Sequence, residues 1–239
     1  MYRREVLTAA GAVGLVGLAG CSGLTGDLDY TAAPATLDSS VANDAGYETE
    51  GPEAIEITEQ FELGGETREV AITTWTTGYE SETGPFIVLS TPNVTVAGQS
   101  VNPLARLSGS ELISRLLQEA GGEDAISEIE PAGETAVTVF DQSATIEEFT
   151  GVLQTSGDIE MAGGSDGSDG SATGDGAATG GEIPIRLYLT SIIHEYGDGN
   201  SDVVFTLGIH PQDAMDSETI YSLVESLQHP VDPPSDSEQ

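Results

Sequence analysis

Residues that commonly carry chemistry are few in this chain of 239 residues. Cysteine occurs once, at Cys21, and histidine occurs three times, at His194, His210 and His229. Lysine is absent, which excludes Schiff-base and lysine-base catalysis. The sequence also lacks a phosphate-binding loop with lysine, a G-x-S-x-G nucleophile elbow and an H-E-x-x-H metal motif. We therefore predict no catalytic residue and no cofactor, and the missing motifs favour a protein that is not an enzyme.

A short acidic stretch, DGNSD at residues 198–202, is the candidate for metal binding. Asp198, Asn200 and Asp202 stand at alternate positions, as do the first oxygen ligands of a calcium-binding loop. The complete loop needs glycine at its sixth position and an acid at its twelfth, where this chain has Val203 and Ile209. Aspartate, glycine and asparagine are equally typical of a tight turn. We therefore interpret the stretch as a turn and predict no metal site.

The three histidines are expected to lie apart. If the chain turns at residues 198–201, His194 comes near Val203 or Val204, while His210 lies toward the far end of the same hairpin. His229 follows the last predicted helix, where a charged imidazole would face the negative end of the helix dipole. No shared histidine site is predicted.

The first 21 residues, MYRREVLTAAGAVGLVGLAGC, have the pattern of an export signal. Arg3 and Arg4 precede a soft apolar stretch, which is shorter than the about 20 residues that a membrane helix needs. RREVL is similar to the twin-arginine export consensus, although Val6 replaces the usual phenylalanine. LAGC matches the lipobox of bacterial and archaeal lipoproteins, in which the cysteine becomes the lipid-bearing N-terminus. We predict that residues 1–20 are removed and that Cys21 carries the lipid.

The charge of the chain is strongly negative, with 41 acidic residues against 6 arginines. Nucleic acid is excluded as a partner, because phosphate binding needs clustered basic residues. Carboxylates at this density repel one another unless salt screens them, and at molar salt the Debye length falls to about 3 Å. The acids are spread along the chain rather than gathered in one block, which favours adaptation to high salt over an acidic interaction tail.

Hydrophobic periodicity predicts one α+β domain over residues 31–229. Alternating segments predict an antiparallel sheet of about six strands, beginning with a meander that turns at GG, residues 64–65. Capping residues and apolar stripes predict three or four helices packed on the sheet, near residues 38–46, 108–121, 145–154 and 216–227. The order of the elements resembles the PsbP/Mog1-like α/β/α sandwich.

The remaining segments are predicted to lie outside that domain. Residues 21–30 form a lipidated tether, and residues 230–239 form a disordered tail. The Gly/Ser/Asp tract at residues 162–182 has nothing to bury, so we predict a disordered loop within the domain. Asn93 begins an N-glycosylation sequon and is a candidate for sugar attachment in an exported protein.

Four stretches together carry a family resemblance: RREVL, LAGC, YTAAPATLDSSVANDAGYE and LSTPNVTVAGQSVNPLARLSGSELI. In them the chain resembles an uncharacterised family of haloarchaeal surface lipoproteins, a domain of unknown function. The first two motifs are shared by many lipoproteins, so the last two are the family-like ones. The resemblance covers most of the chain and implies no activity.

The prediction for the function follows from export and anchoring. We expect a lipid-anchored protein on the outer face of the cell membrane that acts as a non-enzymatic module for binding or envelope interaction. Its partner would be an unknown protein or small molecule. The alternative is a solute-capturing protein or a carboxylate-based hydrolase with a cleft between sheet and helices. A pocket at that place would separate the two hypotheses.

Overall fold

A computed structural model of the chain describes residues 28–63, 66–96, 99–100, 104, 107–119, 126–155, 181–197 and 199–234. The described residues form twelve strands and three helices. The strands are β1 (Leu28–Thr31), β2 (Thr36–Leu37), β3 (Pro52–Leu63), β4 (Glu66–Tyr79), β5 (Phe86–Pro92), β6 (Thr95–Val96), β7 (Gln99–Ser100), β8 (Ile126–Val139), β9 (Gln142–Thr155), β10 (Gly181–Tyr196), β11 (Asn200–Pro211) and β12 (Leu227–Gln228). The helices are α1 (Ser39–Asp44), α2 (Gly109–Glu119) and α3 (Ser217–Glu225).

One mixed sheet of eight strands dominates the fold. Its order is β1-β4-β5-β11-β10-β9-β8, and β3 pairs with β4 as well. All of β3 pairs with one edge of β4. Two strands share the other edge of β4: β1 pairs with residues 70–73, and β5 pairs with residues 75–79. The β1–β4 pair is parallel, and the other pairs of this sheet are antiparallel.

The sheet has an apolar core on each of its two faces. Along β11, Phe205 and Leu207 pack with α2 on one side, while Val204 packs with α1 and α3 on the other. We name these sides the α2 face and the α1/α3 face. Because successive side chains of a strand point to opposite faces, a strand covered on both sides becomes apolar throughout. The continuous burial of residues 202–210 in β11 follows from that position.

The three helices lie near three of the four predicted positions. Asp38 caps α1, since its Oδ1 accepts hydrogen bonds from the backbone N–H of Ser40 and Val41 at 3.0 and 3.3 Å. Asp216 caps α3 in the same way through the N–H of Glu218. Helix α2 begins directly after Ser108, the residue predicted to cap it.

The predicted helix at residues 145–154 was wrong, because this segment is part of β9. The middle of β9 is covered on both faces, with Ile146 in the core of the α1/α3 face and Phe149 in the core of the α2 face. Apolar residues from two faces of a strand thus stand three positions apart, which is also the spacing of one face of a helix. The segment is rich in β-branched residues, and pairing with β8 and β10 decides its conformation.

The predicted fold class was also wrong. We expected an α+β antiparallel sheet of about six strands with three or four helices, similar to the PsbP/Mog1-like sandwich. The described residues instead form a mainly β protein with an eight-stranded mixed sheet and three short helices. The difference comes from β9, counted as a helix, and from β1, whose parallel pairing with β4 has no local sequence signal.

Several predicted segments lie partly or wholly outside the described residues. These are the signal at 1–20, Cys21, the turn at 64–65 and nearly all of the tract at 162–182. Strand β1 begins at Leu28, within the segment predicted as a tether. At the other end, the backbone N–H of Val231 donates to the carbonyl of Pro34 at 3.0 Å. Within the described ranges, no helix has the length and apolar character needed to cross a membrane.

Candidate functional site

Five polar or aromatic side chains from four parts of the chain meet on the α1/α3 face near the start of β11. Asp202 lies in β11 and His194 and Tyr196 in β10, while Ser90 comes from β5 and His229 from the segment after β12. The β10–β11 register places His194 directly opposite Asp202. Tyr196 follows two residues later and therefore points to the same face. We name these five residues the polar cluster.

Asp202 is the centre of the cluster and is 2% exposed. Its Oδ2 accepts hydrogen bonds from Tyr196 Oη at 2.6 Å, the backbone N–H of Ala33 at 2.8 Å and His229 Nε2 at 3.2 Å. A buried carboxylate costs several kcal/mol unless donors replace its water. Burial, followed by the hydrogen bond and charge of Asp202, raises the pKa of Tyr196, so its hydroxyl stays protonated and donates.

His229 connects the carboxylate to the second histidine. Its side chain is fully enclosed. Nε2 lies 3.2 Å from Asp202 Oδ2 and 3.3 Å from Ser90 Oγ, and Nδ1 lies 2.9 Å from Nδ1 of His194. Because the carboxylate can only accept, we assign the Nε2 proton of His229 from this network. The short contact between the two Nδ1 atoms then holds a single proton.

The half-buried His194 is held by an aromatic ring as well. Phe140 stacks on its imidazole with the ring centroids 4.2 Å apart and the planes 18° from parallel. Phe140 has a φ of 52°, and its neighbour Asp141 has a φ of 58°. These two residues connect β8 to β9, where positive φ values give a tight hairpin turn that normally uses asparagine or glycine. A bulky residue with a positive φ is strained, and here the strained residue places the ring that stacks on His194.

The cluster is not arranged as a catalytic triad. In a triad, the nucleophile and the carboxylate contact opposite nitrogens of the histidine, so that one nitrogen takes the nucleophile's proton while the carboxylate holds the N–H of the other. Here Ser90 and Asp202 both contact Nε2 of His229, and the other nitrogen contacts His194. The arrangement can hold or pass a proton between the two imidazoles, but it cannot activate the Ser90 hydroxyl.

The expectation that no histidines share a site was therefore wrong for His194 and His229. His210 does lie apart, stacked on Tyr188 toward the other end of β11 with the centroids 5.3 Å apart. The hairpin register could have placed His194 opposite Asp202, because both residues are close to the turn. No sequence pattern could have placed His229, which reaches the cluster after the chain has crossed the α1/α3 face.

The predicted site residues are distributed as follows. Asp202 belongs to the polar cluster, Asn200 is exposed at the start of β11, and Asp198 lies outside the described residues. In the part of the chain that the structure describes, no group of three or more His, Cys, Asp or Glu residues could hold a metal ion. Asn93 is half-buried, and its Nδ2 donates to Ser201 Oγ at 3.1 Å. Glycosylation of Asn93 stays a prediction.

A second region, on the α2 face, is open rather than buried. An apolar pocket of about 180 Å³ lies between α2 and the sheet. Its lining residues come from β3, β4, β5, α2 and β11: Ile55, Thr76, Ile87, Leu89, Leu116, Phe205, Thr206 and Leu207. Ile55 is 43% exposed, so this wall of the pocket faces solvent.

An acidic cleft of about 440 Å³ adjoins the apolar pocket, since Thr76 lines both. Its acidic lining residues are Glu48, Glu50, Glu53 and Glu80. Glu48 and Glu80 are directly opposite each other, because each donates its backbone N–H to the other's carbonyl at 2.9 Å. Like charges at opposed positions destabilise a pair of strands. The pocket and the cleft together are here named the groove.

The fold and these two regions define a mainly β domain with a large mixed sheet, a buried polar cluster on one face and an amphipathic groove on the other. A family model described as a domain of unknown function, DUF6517, matches residues 34–228. The chain belongs to this family. No curated protein and no solved structure matched the chain.

Proposed function

We propose that the chain is an exported, lipid-anchored protein of the outer cell surface and that its domain is a non-enzymatic binding module adapted to high salt. The paired arginines, the short apolar stretch and the LAGC motif before Cys21 support export and anchoring. The excess of 41 acidic residues over 6 arginines supports the adaptation to salt. The groove supports the binding role.

The test of anchoring is the location of the protein after substitution of its only cysteine. Cys21→Ser should release the protein into the medium, because no other thiol can carry a lipid. Ser22→Ala, the neighbouring substitution, should stay in the membrane fraction. The fractions are compared by immunoblotting of washed membranes and medium. If Cys21→Ser remains in the membrane at the wild-type level, the anchor is wrong.

The groove favours a small organic cation with an apolar body as the ligand. A cavity of about 150 Å³ is large enough for benzene, so the apolar pocket of about 180 Å³ admits one aromatic ring. A cationic group on that ring would lie toward the glutamates of the acidic cleft. At molar salt these charges are screened within about 3 Å, whereas apolar burial persists. The apolar pocket would then supply most of the affinity and the carboxylates the selectivity.

A hydrolase that uses two carboxylates is the weaker alternative. Such an enzyme needs one carboxyl group that stays protonated near neutral pH, which burial normally provides. All four glutamates of the acidic cleft are exposed. The apolar pocket between α2 and the sheet instead favours the capture of a solute.

The binding experiment uses benzyltrimethylammonium as the probe and benzyl alcohol as its neutral analogue. Calorimetric titration of the Cys21→Ser protein in molar KCl avoids detergent, which would compete for the apolar pocket. Ile55→Ser should weaken binding of the probe by roughly fivefold to tenfold, because the substitution removes part of an apolar wall. Ile193→Ser is the matched control, since Ile193 is also exposed, at 51%, and does not line the groove.

Two outcomes of this titration would contradict the binding role. One is the absence of heat with either compound at millimolar concentrations. The other is an equal loss of affinity for Ile55→Ser and Ile193→Ser, which would place the probe elsewhere. Lowering the salt should strengthen binding of the cation and leave the neutral analogue unchanged, because only the charged contact is screened.

A further inference from the structure

Two short segments near the ends of the described chain are paired with each other over the α1/α3 face. Residues 32–38 contain β2 and residues 226–231 contain β12, which pair in an antiparallel register. Asp38 N–H donates to the carbonyl of Ser226 at 2.9 Å, beside one end of this pair. We name the two paired segments the clasp. Ala35, Leu37 and Leu227 of the clasp are buried in the core of this face.

The clasp is attached to the sheet at three places. Directly after β1, the backbone N–H of Ala32 donates to the carbonyl of Thr73 at 3.0 Å. At its middle, Tyr79 Oη accepts from the N–H of Leu37 at 2.7 Å, and Thr77 Oγ1 donates to the carbonyl of Ala35 at 2.8 Å. At its end, Asp202 and the histidine pair hold Ala33 and His229. Neither threonine nor tyrosine changes charge near neutral pH, whereas histidine does.

The hydrogen bond between the two histidines requires that only one of the facing Nδ1 atoms be protonated. When His229 is positively charged, it donates from Nε2 to Asp202 and from Nδ1 to the neutral His194. The neutral His194 that accepts at Nδ1 carries its own proton on Nε2, so a further proton must occupy Nδ1. His194 then becomes a cation with protons on both nitrogens, and two N–H groups face each other across 2.9 Å. The bond is then lost and two like charges repel.

We propose that the polar cluster is a proton-operated latch, which holds the end of the clasp to the sheet at neutral pH and releases it when both histidines are protonated. The residues released are Ala33 of the first segment and His229 to Val231 of the second. Ser226 to Leu227 stay attached, because their contacts do not titrate. Strand β1 pairs with β4 in the sheet and lies between the proposed anchor and the latch, so the anchor side of the chain stays joined to the sheet when the latch opens.

The titratable groups around His229 come from two strands. Asp202 faces it from β11, and His194 and Tyr196 face it from β10. The other elements packed against the pair contribute the Ser90 hydroxyl from β5, the Phe140 ring from the β8–β9 turn and the Ala33 N–H that binds Asp202. None of these three groups titrates in the physiological range.

The direction of the pH response follows from His194. Burial first, and then the positive charge of His229, lower the pKa of His194 below its usual value near 6.5, while Asp202 opposes the shift. Just below pH 6.5 the unfolded chain therefore binds more protons at this position than the folded chain does. Stability rises with pH in that range and is lost as pH falls, and the loss grows until the folded His194 itself takes up the proton.

Hydrogen exchange of individual amides, measured by NMR on the full chain in molar KCl, tests the latch. Protection is normalised to the intrinsic exchange rate at each pH. From pH 7.5 to pH 5.5, protection of Ala33 and Val231 should fall by up to about tenfold, while Leu207 in β11 stays protected. Tenfold is about the limit at pH 5.5 for one histidine whose usual pKa is near 6.5. In His194→Gln the same pH change should alter protection of Ala33 by less than about twofold.

His210→Gln provides the matched control, because it removes the remaining histidine, which stacks on Tyr188 outside the cluster. This variant should keep the selective loss at Ala33 and Val231. The latch is overturned if His194→Gln shows the wild-type pH response. It is also overturned if Ala33 and Leu207 lose protection together, since that would indicate global unfolding. His194 is only half-buried, so this variant avoids the charge left unpaired by changing Asp202.

Discussion

The two faces of the sheet differ in how completely they are covered and in where their charges lie. On the α1/α3 face, two helices and the clasp enclose the core, and Asp202 is buried among its own hydrogen-bond donors. On the α2 face, α2 is the one helix among the described residues that covers the sheet, and the glutamates of the acidic cleft stay in solvent beside an apolar pocket. The same sheet thus presents one closed face and one partly open face.

This difference separates two uses of the acidic residues in one chain. Exposed carboxylates keep their water and interact through a screened field, so their effect depends on salt. A buried carboxylate depends on specific donors and is nearly independent of salt, but it is sensitive to the protonation of its partners. A change in salt concentration should therefore affect the interactions of the α2 face most, and a change in pH should affect those of the α1/α3 face most.

The largest effect is expected from removing the buried carboxylate. Asp202→Ala leaves the donors of Tyr196, His229 and Ala33 without an acceptor, so we expect a loss of about 3–5 kcal/mol in the free energy of unfolding. Urea denaturation in molar KCl measures it. Asp213→Ala, at an exposed turn position after β11, should change the stability by less than about 0.5 kcal/mol. Equal losses for the two variants would contradict the central role of Asp202.

A smaller difference is expected between core residues of the two faces. Ile220 of α3 is 0% exposed on the closed face, and Leu116 of α2 is 7% exposed beside the apolar pocket. Truncation of a buried Ile or Leu to alanine costs about 2–5 kcal/mol of stability, and the cost grows with the volume of the cavity that the substitution leaves. We expect Ile220→Ala near the upper end of that range and Leu116→Ala near the lower end.

The same denaturation experiment checks this second comparison. Leu116→Ala should also alter the binding of benzyltrimethylammonium, because the side chain lines the apolar pocket, whereas Ile220→Ala should leave the affinity of the folded protein unchanged. A larger destabilisation by Leu116→Ala than by Ile220→Ala would show that the α2 face is the better packed one.

The smallest effect concerns the opposed glutamates of the acidic cleft. Glu80→Gln removes the like charge across from Glu48 and should stabilise the protein by about 0.2–1 kcal/mol at low salt. The gain should disappear in molar KCl, where screening removes the repulsion. Thermal unfolding at both salt concentrations measures the change. Glu225→Gln, at an exposed position of α3, is a control on the closed face, and a gain of equal size there would show that the effect reflects net charge alone.

Much of the local structure could be predicted from the sequence. The cap of α1 is Asp38, as the sequence indicated, because such a cap is formed by the next three residues of the chain. The antiparallel pairing of β3 with β4 joins two alternating segments that the sequence predicted as neighbouring strands. The β10–β11 hairpin, which places His194 and Asp202 side by side, is a local feature as well.

The errors arose where distant segments compete with local pattern. The stretch around Ile146 and Phe149 has helical spacing only because both faces of β9 are covered, and its neighbours β8 and β10 determine the covering. The parallel partner of β1 lies about 40 residues away along the chain, too far for a periodicity to reveal it. The polar cluster was missed for the same reason, since His229 has no sequence neighbour in it.

The sequence by itself determined the properties that are sums or short-range patterns. These are the excess of acidic over basic residues, the single cysteine behind an apolar stretch, and the helix caps and hairpin turns. The tertiary structure alone decided which carboxylate is buried, which two histidines share a proton and where the apolar pocket meets the acidic cleft. The physical reason is that burial and hydrogen bonding depend on which strands become neighbours, and sheet pairing joins residues that are far apart in the chain.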